Sequence, residues 1–307
     1  MNPTTRAFTF LVNPASGGGA APGAVVPVAR RLRDAGAPVE VTYSPGPSAI
    51  RDLVSGALAR GDVVVSVGGD GMLSSLVGAV SRGGGTLAVL PAGRGNDFAR
   101  MLGLPDDPDA QALLLLEGEP HTVDLLATTI GSTPDAERLV AGSVYAGVDA
   151  QASAIVDRAH HLPRRLQYPY AALRSLATYQ PGRYRVTVDG TTREHDAATV
   201  VVANSAYYGQ GMKIAPLALV EDGVLDVVVI EAASRLALMR ALPTVYDGSH
   251  VELPEVTVLT GRRVELQADA RTPVPVGGDG EQLGVLPGLA DEPAVVEVRP
   301  GALTVLA

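Results

Sequence analysis

The fold is decided by one stretch of ten residues, 62–71, which reads Asp-Val-Val-Val-Ser-Val-Gly-Gly-Asp-Gly. An unbroken apolar run that ends in glycines predicts a buried parallel strand that turns directly into a helix. The same alternation surrounds it, with strands predicted at 7–12, 38–43 and 86–90 and helices at 22–35, 47–60 and 71–82. The first part of the chain is therefore predicted to be an α/β domain built on a parallel sheet, which binds ligands at the carboxyl ends of its strands.

The pattern of predicted strands and helices changes after residues 123–126. One helix-like region at 150–179 is followed by short strands, predicted at 184–188, 198–203, 225–230, 256–260, 263–267 and 295–298. Strands at this density, separated by Gly, Asp and Pro turns, predict a β-rich, sandwich-like domain. We expect two domains, residues 1–126 and 127–307, and the last residues can pack back on the first domain.

The composition of the 307 residues excludes several classes of site and function. The absence of cysteine excludes disulfides, zinc–thiolate sites, iron–sulfur clusters and a thiol nucleophile. A net charge of −9 argues against nucleic-acid binding, which needs a basic surface. No apolar run approaches the roughly 20 residues of a membrane-spanning helix. We expect a cytoplasmic protein that touches membranes only from one side, and the sequence leaves a homodimer open.

Three of the predicted strands end in loops rich in glycine. These are Asn-Pro-Ala-Ser-Gly at 13–17, Gly-Gly-Asp-Gly at 68–71 and Pro-Ala-Gly-Arg-Gly-Asn-Asp-Phe-Ala-Arg at 91–100. Backbone N–H groups at the start of a helix form an anion site, so the loops predict phosphate binding. Each could also be a simple turn. Asp70 would repel phosphate, so it is expected to hold a divalent cation or to polarise a substrate hydroxyl.

The third loop carries further side chains with alternative roles. Asn96 or Asp97 can cap the following helix, and capping is the favoured role of Asp97. Arg94 and Arg100 can neutralise charge on a transferring phosphoryl group. An ordinary P-loop is excluded, because the chain contains no Gly-x-x-x-x-Gly-Lys-Ser/Thr sequence.

Two acidic segments stand out in the second domain. Asp279 and Glu281 are two residues apart, and in an extended segment they would lie on one side and suit general-base work. Surface turns also carry such pairs. The other segment, residues 219–226, reads Leu-Val-Glu-Asp-Gly-Val-Leu-Asp, and by its spacing alone it is a hairpin turn.

Taken in order, these segments resemble the diacylglycerol kinase catalytic family, which includes bacterial YegS-like and BmrU-like lipid kinases and the sphingosine kinases. The resemblance covers most of the chain and rests on the three loops, Gly-x-Asp-Ala at 147–150, the segment 212–216, Asp-Gly-x-Leu-Asp at 222–226 and Asp-Gly-Glu at 279–281. It implies an ATP- and Mg²⁺-dependent lipid kinase. ATP would lie in a cleft between the domains, and a lipid with a free hydroxyl would be the acceptor.

The resemblance also implies roles for individual residues. ATP binding falls to Asn13, Pro14, Ala15, Ser16, Gly17, Thr42, Gly68, Gly69, Asp70, Gly71, Met72, Leu73, Ser74, Arg94 and Asn96. Asp70 would work with the catalytic Mg²⁺, and Asp279 or Glu281 would deprotonate the lipid hydroxyl. A second, structural Mg²⁺ would bind the carbonyls of Leu219 and Val224 and the carboxylate of Asp222.

Two departures from the family pattern bear on turnover. Met72 and Arg94 each stand where the family usually has Thr, so a hydroxyl that could bind phosphate is missing at both places, although Arg94 can offer a bidentate contact instead. Two alternatives therefore stay open: a kinase of NAD or another small molecule with the same phosphate loop, or a catalytically weak nucleotide-binding regulatory protein.

Membrane contact has one candidate segment in the sequence. Residues 159–179 mix His and Arg with Leu and Tyr, a composition that can lie at a membrane interface. An ordinary solvated helix with buried leucines has the same composition.

Overall fold

The computed structural model describes residues 6–44, 46–131, 137–158, 170, 171, 174, 175, 177, 180–269 and 272–307. Within them the chain forms two compact units. The first contains the chain up to Leu125 together with Gly209–Gly211 and Pro300–Ala307, and the second contains Leu126–Tyr208 and Met212–Arg299.

The first unit is a parallel sheet with helices between its strands. Its strands are β1 (Phe8–Val12), β2 (Val39–Tyr43), β3 (Val63–Gly68) and β4 (Thr86–Pro91), which pair in the order β2-β1-β3-β4. Its helices are α1 (Ala21–Asp34), α2 (Pro47–Ala59), α3 (Asp70–Arg82), α4 (Asp97–Met101) and α5 (Pro108–Glu117). β1 and β3 are buried along their whole length, as central strands of a covered parallel sheet should be.

The second unit is largely antiparallel. Its elements are β6 (Arg138–Val140), β7 (Ser143–Gly147), α6 (Val148–Arg158), β8 (Gly182–Val188), β9 (Thr191–Ala203), β10 (Leu225–Glu231), α7 (Arg235–Asp247), β11 (Val256–Gly261), β12 (Arg263–Asp269), β13 (Pro275–Gly278) and β14 (Glu281–Val285). The strands pair in the order β14-β13-β7-β9-β8-β12, and β10 joins β9 to β11. Inward-facing valines and leucines of these strands form one apolar core.

Two strands contribute residues to both units. They are β5 (Pro120–Thr129) and β15 (Ala294–Leu306). The first residues of β15 pair with β12, whereas Thr304–Leu306 pair with Thr86–Ala88 of β4 in the parallel sheet.

The predicted fold class is confirmed, because an α/β unit with a parallel sheet is followed by a β-rich unit. Of the helix-like region predicted at 150–179, α6 covers the start, and most of the rest lies outside the described residues. The sequence analysis missed α7 and the hairpin of β13 and β14. The hairpin strands have only four and five residues, and Pro243 lies inside the 13-residue α7, where it obscures a helical pattern.

Candidate active site

The glycine loops meet at the carboxyl ends of β1, β3 and β4. Residues 13–17 follow β1, residues 68–74 span the end of β3 and the first turn of α3, Arg94 and Asn96 follow β4, and Thr42 lies on β2. A Cβ on Gly17 would lie 2.4 Å from the Ala92 carbonyl oxygen, and one on Gly93 would lie 2.2 Å from the Gly69 Cα. Such close backbone approach requires glycine, so the three loops pack directly against one another.

Asp70 caps α4 from the neighbouring loop. Its Oδ1 accepts the backbone N–H of Asp97 at 2.8 Å and that of Phe98 at 3.3 Å. Asn96 occupies the N-cap position, but the predicted capping by a side chain of Asn96 or Asp97 is wrong, because the Asn96 amide instead bonds the N–H and carbonyl of Gly93. Burial raises the pKa of the Asp70 carboxyl, and the backbone donors offset part of that rise.

Asp97 provides a second carboxylate close to that of Asp70. The sequence predicted no ligand-binding role for Asp97. It is 7% exposed and accepts the N–H groups of Gln210 at 2.8 Å and Gly211 at 2.7 Å. A Cβ on Gly95 would lie 2.7 Å from Asp70 Oδ2 and 3.2 Å from Asp97 Oδ2, so both carboxylates flank this glycine. Burial, and then repulsion from Asp70, raise the pKa of Asp97 to about 6.

The Asp70–Asp97 pair fits a divalent cation. Two neighbouring carboxylates repel each other, and a cation between them would remove that repulsion. Carboxylate oxygens are the protein ligands that Mg²⁺ prefers, with phosphate and water completing its shell. Among the described residues no cluster of three or more His, Cys, Asp or Glu side chains could hold a metal. A cation here would therefore need further oxygen ligands from a bound phosphate or from water.

The raised pKa of Asp97 gives a stability prediction. Because folding raises this pKa from 3.8 to about 6, the folded state favours the protonated carboxyl, so stability should fall as pH rises through this window. The shift corresponds to about 3 kcal/mol at most. In EDTA, thermal melts of Asp97→Asn should show a smaller fall, because Asp226, whose pKa is also raised to about 6, still contributes, whereas the exposed control Asp52→Asn should keep the full fall. Parallel melting profiles for Asp97→Asn and the unmodified protein would contradict this account of Asp97.

The two hydrophobic residues of the predicted nucleotide loop have buried side chains. Met72 is 5% exposed and Leu73 is 2% exposed. A Cβ on Gly68 would lie 2.7 Å from the Met72 Cβ, so Met72 packs directly under the loop. Arg94, in contrast, is exposed. If Met72 or Leu73 contacts a nucleotide, the contact would therefore be made by backbone atoms. The assignment of these residues and of Arg94 to ATP binding stays a prediction.

In the second unit, three consecutive backbone N–H groups hold the Asp279 carboxylate. Oδ2 accepts from Ala141 at 2.8 Å, Oδ1 accepts from Ser143 at 3.1 Å, and Gly142 reaches both oxygens at 3.0 and 3.2 Å. These donors stabilise negative charge on Asp279 and also occupy lone pairs on both of its oxygens.

The turn that carries Asp279 differs from the predicted geometry. Asp279 and Gly280 have φ of +46° and +85°, so they form the two-residue turn of the β13–β14 hairpin. The expectation of an extended segment with Asp279 and Glu281 on one side is therefore wrong. Glu281 is exposed as a residue, but partial desolvation of its carboxyl raises its pKa, and the positive charge of Arg138 offsets part of the rise.

Tyr145, on the neighbouring strand β7, contacts this turn. Its hydroxyl accepts the N–H of Gly280 at 3.2 Å, and a Cβ on Gly277 would lie 2.5 Å from its ring. The ring of Tyr208 is 5.7 Å away, centroid to centroid, and the Tyr208 hydroxyl hydrogen-bonds the carboxyl of Asp149. The turn is thus supported by a chain of buried polar side chains.

Gly277→Ala tests this support. The new Cβ would displace the Tyr145 ring, because a 2.5 Å approach is far inside contact distance. If residues 279–281 have the catalytic role that the resemblance implies, kcat should fall at least about tenfold, since a misplaced catalytic group is costly, while KM for ATP stays near its original value. The control is Gly23→Ala, whose Cβ meets nothing within 4 Å. Unchanged kcat in Gly277→Ala, with a normal melting temperature, would show that the position of the Tyr145 ring does not matter for turnover.

The predicted structural Mg²⁺ site lies in the turn before β10. Leu219 and Asp222 are exposed, and Asp222 Oδ1 accepts the N–H of Val224 at 3.0 Å. Asp226, to which the sequence analysis gave no role, is 7% exposed, and burial followed by the charge of Asp222 raises its pKa to about 6. Paired carboxylates fit a divalent cation here as well, and the assignment of Leu219, Asp222 and Val224 stays a prediction.

The candidate membrane-contact segment at 159–179, which could equally be an ordinary solvated helix, lies mostly outside the described residues, Arg164 and Arg165 included. In the part of the chain that the structure describes, no helix is both long enough and apolar enough to cross a bilayer.

Comparisons with known proteins match both parts of the chain to described families. Residues 7–128 match the diacylglycerol kinase catalytic domain, and residues 142–307 match the YegS C-terminal NAD kinase beta sandwich-like domain. A diacylglycerol kinase of Mycobacterium tuberculosis (strain ATCC 25618 / H37Rv) is 33% identical over 303 residues, which are 97% of this chain and 94% of that protein. A diacylglycerol kinase of Bacillus subtilis (strain 168) is 24% identical and covers 76% of this chain and 75% of its own. The crystal structure of a diacylglycerol kinase from Bacillus anthracis str. Sterne shares the fold, with a TM-score of 0.70 at 18% identity over 99% of this chain and 98% of its own.

Proposed function

The chain belongs to the diacylglycerol kinase family of lipid kinases, and from this premise we propose that it transfers the γ-phosphoryl group of ATP to the free hydroxyl of a diacylglycerol-like lipid, with Mg²⁺ as cofactor. The Asp70–Asp97 pair is the observation that carries the proposal. It lies where three glycine loops meet at the carboxyl ends of parallel strands, which is where open α/β sheets bind nucleotides.

Positioning and charge account for most of phosphoryl transfer. The loops after β1 and β3 would present backbone N–H groups to the phosphates, helped by the positive end of the α3 dipole. When bound, Mg²⁺ neutralises the charge that develops on the phosphate oxygens. Asp70 would hold it through Oδ2, since Oδ1 already caps α4.

Glu281 is the better candidate for the proton acceptor. A general base works best when its pKa approaches the operating pH, and burial moves the pKa of Glu281 in that direction. Asp279 has both oxygens committed to backbone donors, so its proposed role is to fix the turn that presents Glu281. The hydroxyl oxygen of the lipid would attack the γ-phosphorus while its proton passes to Glu281, and the bond from the γ-phosphorus to the β–γ bridging oxygen would break to release ADP.

The two departures from the family pattern do not argue against turnover. Met72 is buried beneath the Gly68 loop, so its side chain leaves the loop's outer backbone surface clear. Arg94 is exposed and carries a guanidinium that can bind phosphate. The relatives named diacylglycerol kinase or probable lipid kinase also favour a lipid acceptor over NAD or a sugar phosphate.

A substrate panel tests the proposal. The protein is incubated with Mg²⁺ and ATP labelled at the γ-phosphate, and with diacylglycerol, total lipid extract, NAD or fructose 6-phosphate. We expect label in diacylglycerol and in a phospholipid fraction of the extract. Label in NAD alone would contradict the lipid assignment, and ATP binding without label in any acceptor would favour a regulatory protein.

A further inference from the structure

An exposed apolar face lies on the second unit. It consists of Leu217, which is 82% exposed, Leu219 at 58%, Leu236 at 55% and Tyr246 at 53%. Seven large hydrophobic side chains among the described residues are more than half exposed, and four of them fall within positions 217–246. Single exposed leucines need no explanation, but a concentration of them indicates a binding surface.

The two segments of this face are attached to each other. The N–H of Lys213 donates to the carbonyl of Val245 in α7 at 2.8 Å. Pro216 packs on Gly248, where a Cβ would lie 2.8 Å from the proline Cγ. Leu217 follows Pro216 directly, so it is held beside the C-terminal end of α7 on a fixed support.

The charges on α7 distinguish it from the rest of the chain. Between residues 232 and 246 the only charged side chains are Arg235 and Arg240, both exposed, in a chain whose net charge is −9. At 3.6 residues per turn, Leu236 and Tyr246 lie roughly 80° apart around the helix axis. The acidic residues nearest to the four apolar residues in the sequence are Glu221 and Asp222, which follow Leu219, and Asp247, which follows Tyr246.

We propose that this face, which we call the α7 face (Leu217, Leu219, Leu236 and Tyr246), docks on a lipid bilayer that contains anionic lipid. Apolar side chains beside arginines on an exposed helix are the arrangement that binds membrane interfaces. The proposal rests on the proposed function, because a lipid kinase must meet the surface in which its acceptor lies.

A second copy of the chain fits the α7 face less well. A twofold interface places the same patch on both partners, so it would have to bury or flank Arg235 and Arg240 of both copies. Interface cores are also depleted of charge. An anionic bilayer instead attracts the arginines and accepts the leucines.

Vesicle co-sedimentation without ATP tests the docking. Vesicles of phosphatidylcholine and phosphatidylglycerol are mixed with the protein and with Leu236→Ser, Tyr246→Ser and the double variant. The matched controls are Leu113→Ser and Tyr43→Ser, whose side chains are each 53% exposed in the first unit. We expect about a tenfold loss of partitioning for each α7 variant and a larger loss for the double variant. The controls should bind like the unmodified protein.

Charge and self-association are tested separately. Arg240→Gln should weaken binding to the anionic vesicles and leave any binding to pure phosphatidylcholine unchanged. Unchanged sedimentation of the double variant would overturn the proposal. So would analytical ultracentrifugation that shows a dimer which Leu236→Ser dissociates, because the face would then belong to a self-association interface.

A kinase assay separates this proposal from the proposed function. With diacylglycerol in detergent micelles the α7 variants should phosphorylate normally, and with diacylglycerol in vesicles they should be slower by about the same factor as their loss of binding. If no lipid is phosphorylated in either form while the variants still lose vesicle binding, the docking is supported and the proposed function is contradicted. Equal rates in vesicles for the variants and the unmodified protein would overturn the docking alone.

Discussion

Asp70→Asn is expected to lower kcat by about a thousandfold while the fold survives. The amide oxygen can still accept the N–H groups of Asp97 and Phe98, which Oδ1 accepts now, so the cap on α4 is kept. The substitution removes the negative charge beside Asp97, and with it half of the proposed cation site. Loss of one preorganised electrostatic group typically costs 10²–10³ in rate.

The measurement is steady-state turnover with γ-labelled ATP over a range of Mg²⁺ concentrations. Because the variant should bind Mg²⁺ more weakly, the concentration needed for half-maximal rate should rise as kcat falls. Asp52→Asn is the matched control, since it is the same change on the exposed side of α2. Near-normal turnover of Asp70→Asn at ordinary Mg²⁺ would show that Asp70 is not at the reacting centre.

The second large effect is expected at the hairpin turn. Glu281→Gln should lower kcat by about 10²–10⁴, the usual contribution of general acid–base catalysis. Since burial raises the pKa of Glu281, the rate of the unmodified protein should rise with pH through a value above the ordinary glutamate range. This acidic limb should disappear in Glu281→Gln, because no titrating base remains.

Asp279→Asn should also lower kcat, but for a different reason. Its amide group would place an N–H donor against the backbone donors of residues 141–143, so the turn would be displaced. The residual activity should keep the acidic limb of the pH profile. If the limb is lost in Asp279→Asn and kept in Glu281→Gln, the base is Asp279 and our assignment of the two carboxylates is reversed.

Local features of the sequence were sufficient for the parallel sheet and its loops. The valine run of β3 and the glycines after it are adjacent in the chain, so their pattern already indicates strand, turn and helix. The turn at Asp279 and Gly280 could also have been predicted from the sequence, because Asp-Gly between two strands is a strong hairpin signal. Treating it as extended was an error of interpretation.

The polar contacts of the site could not be predicted in the same way. Asp97 bonds Gln210, 113 positions away, and Asp279 bonds Ala141, 138 positions away. Nothing in the neighbourhood of Asp97 distinguishes a helix cap from a carboxylate that faces a second one. Its role depends on Gly95, which leaves room for Asp70 on one side and Asp97 on the other, and this arrangement exists only in the folded chain.

The central claim is that this chain phosphorylates a lipid hydroxyl at the Asp70–Asp97 site. Mass spectrometry of total lipids incubated with the protein, ATP and Mg²⁺ tests it most directly, with Asp70→Asn as the matched sample. The account predicts a new phospholipid that is heavier than its acceptor by one phosphate, and its near absence with Asp70→Asn. An unchanged lipid profile, or the same phospholipid in equal amount from Asp70→Asn, would contradict it.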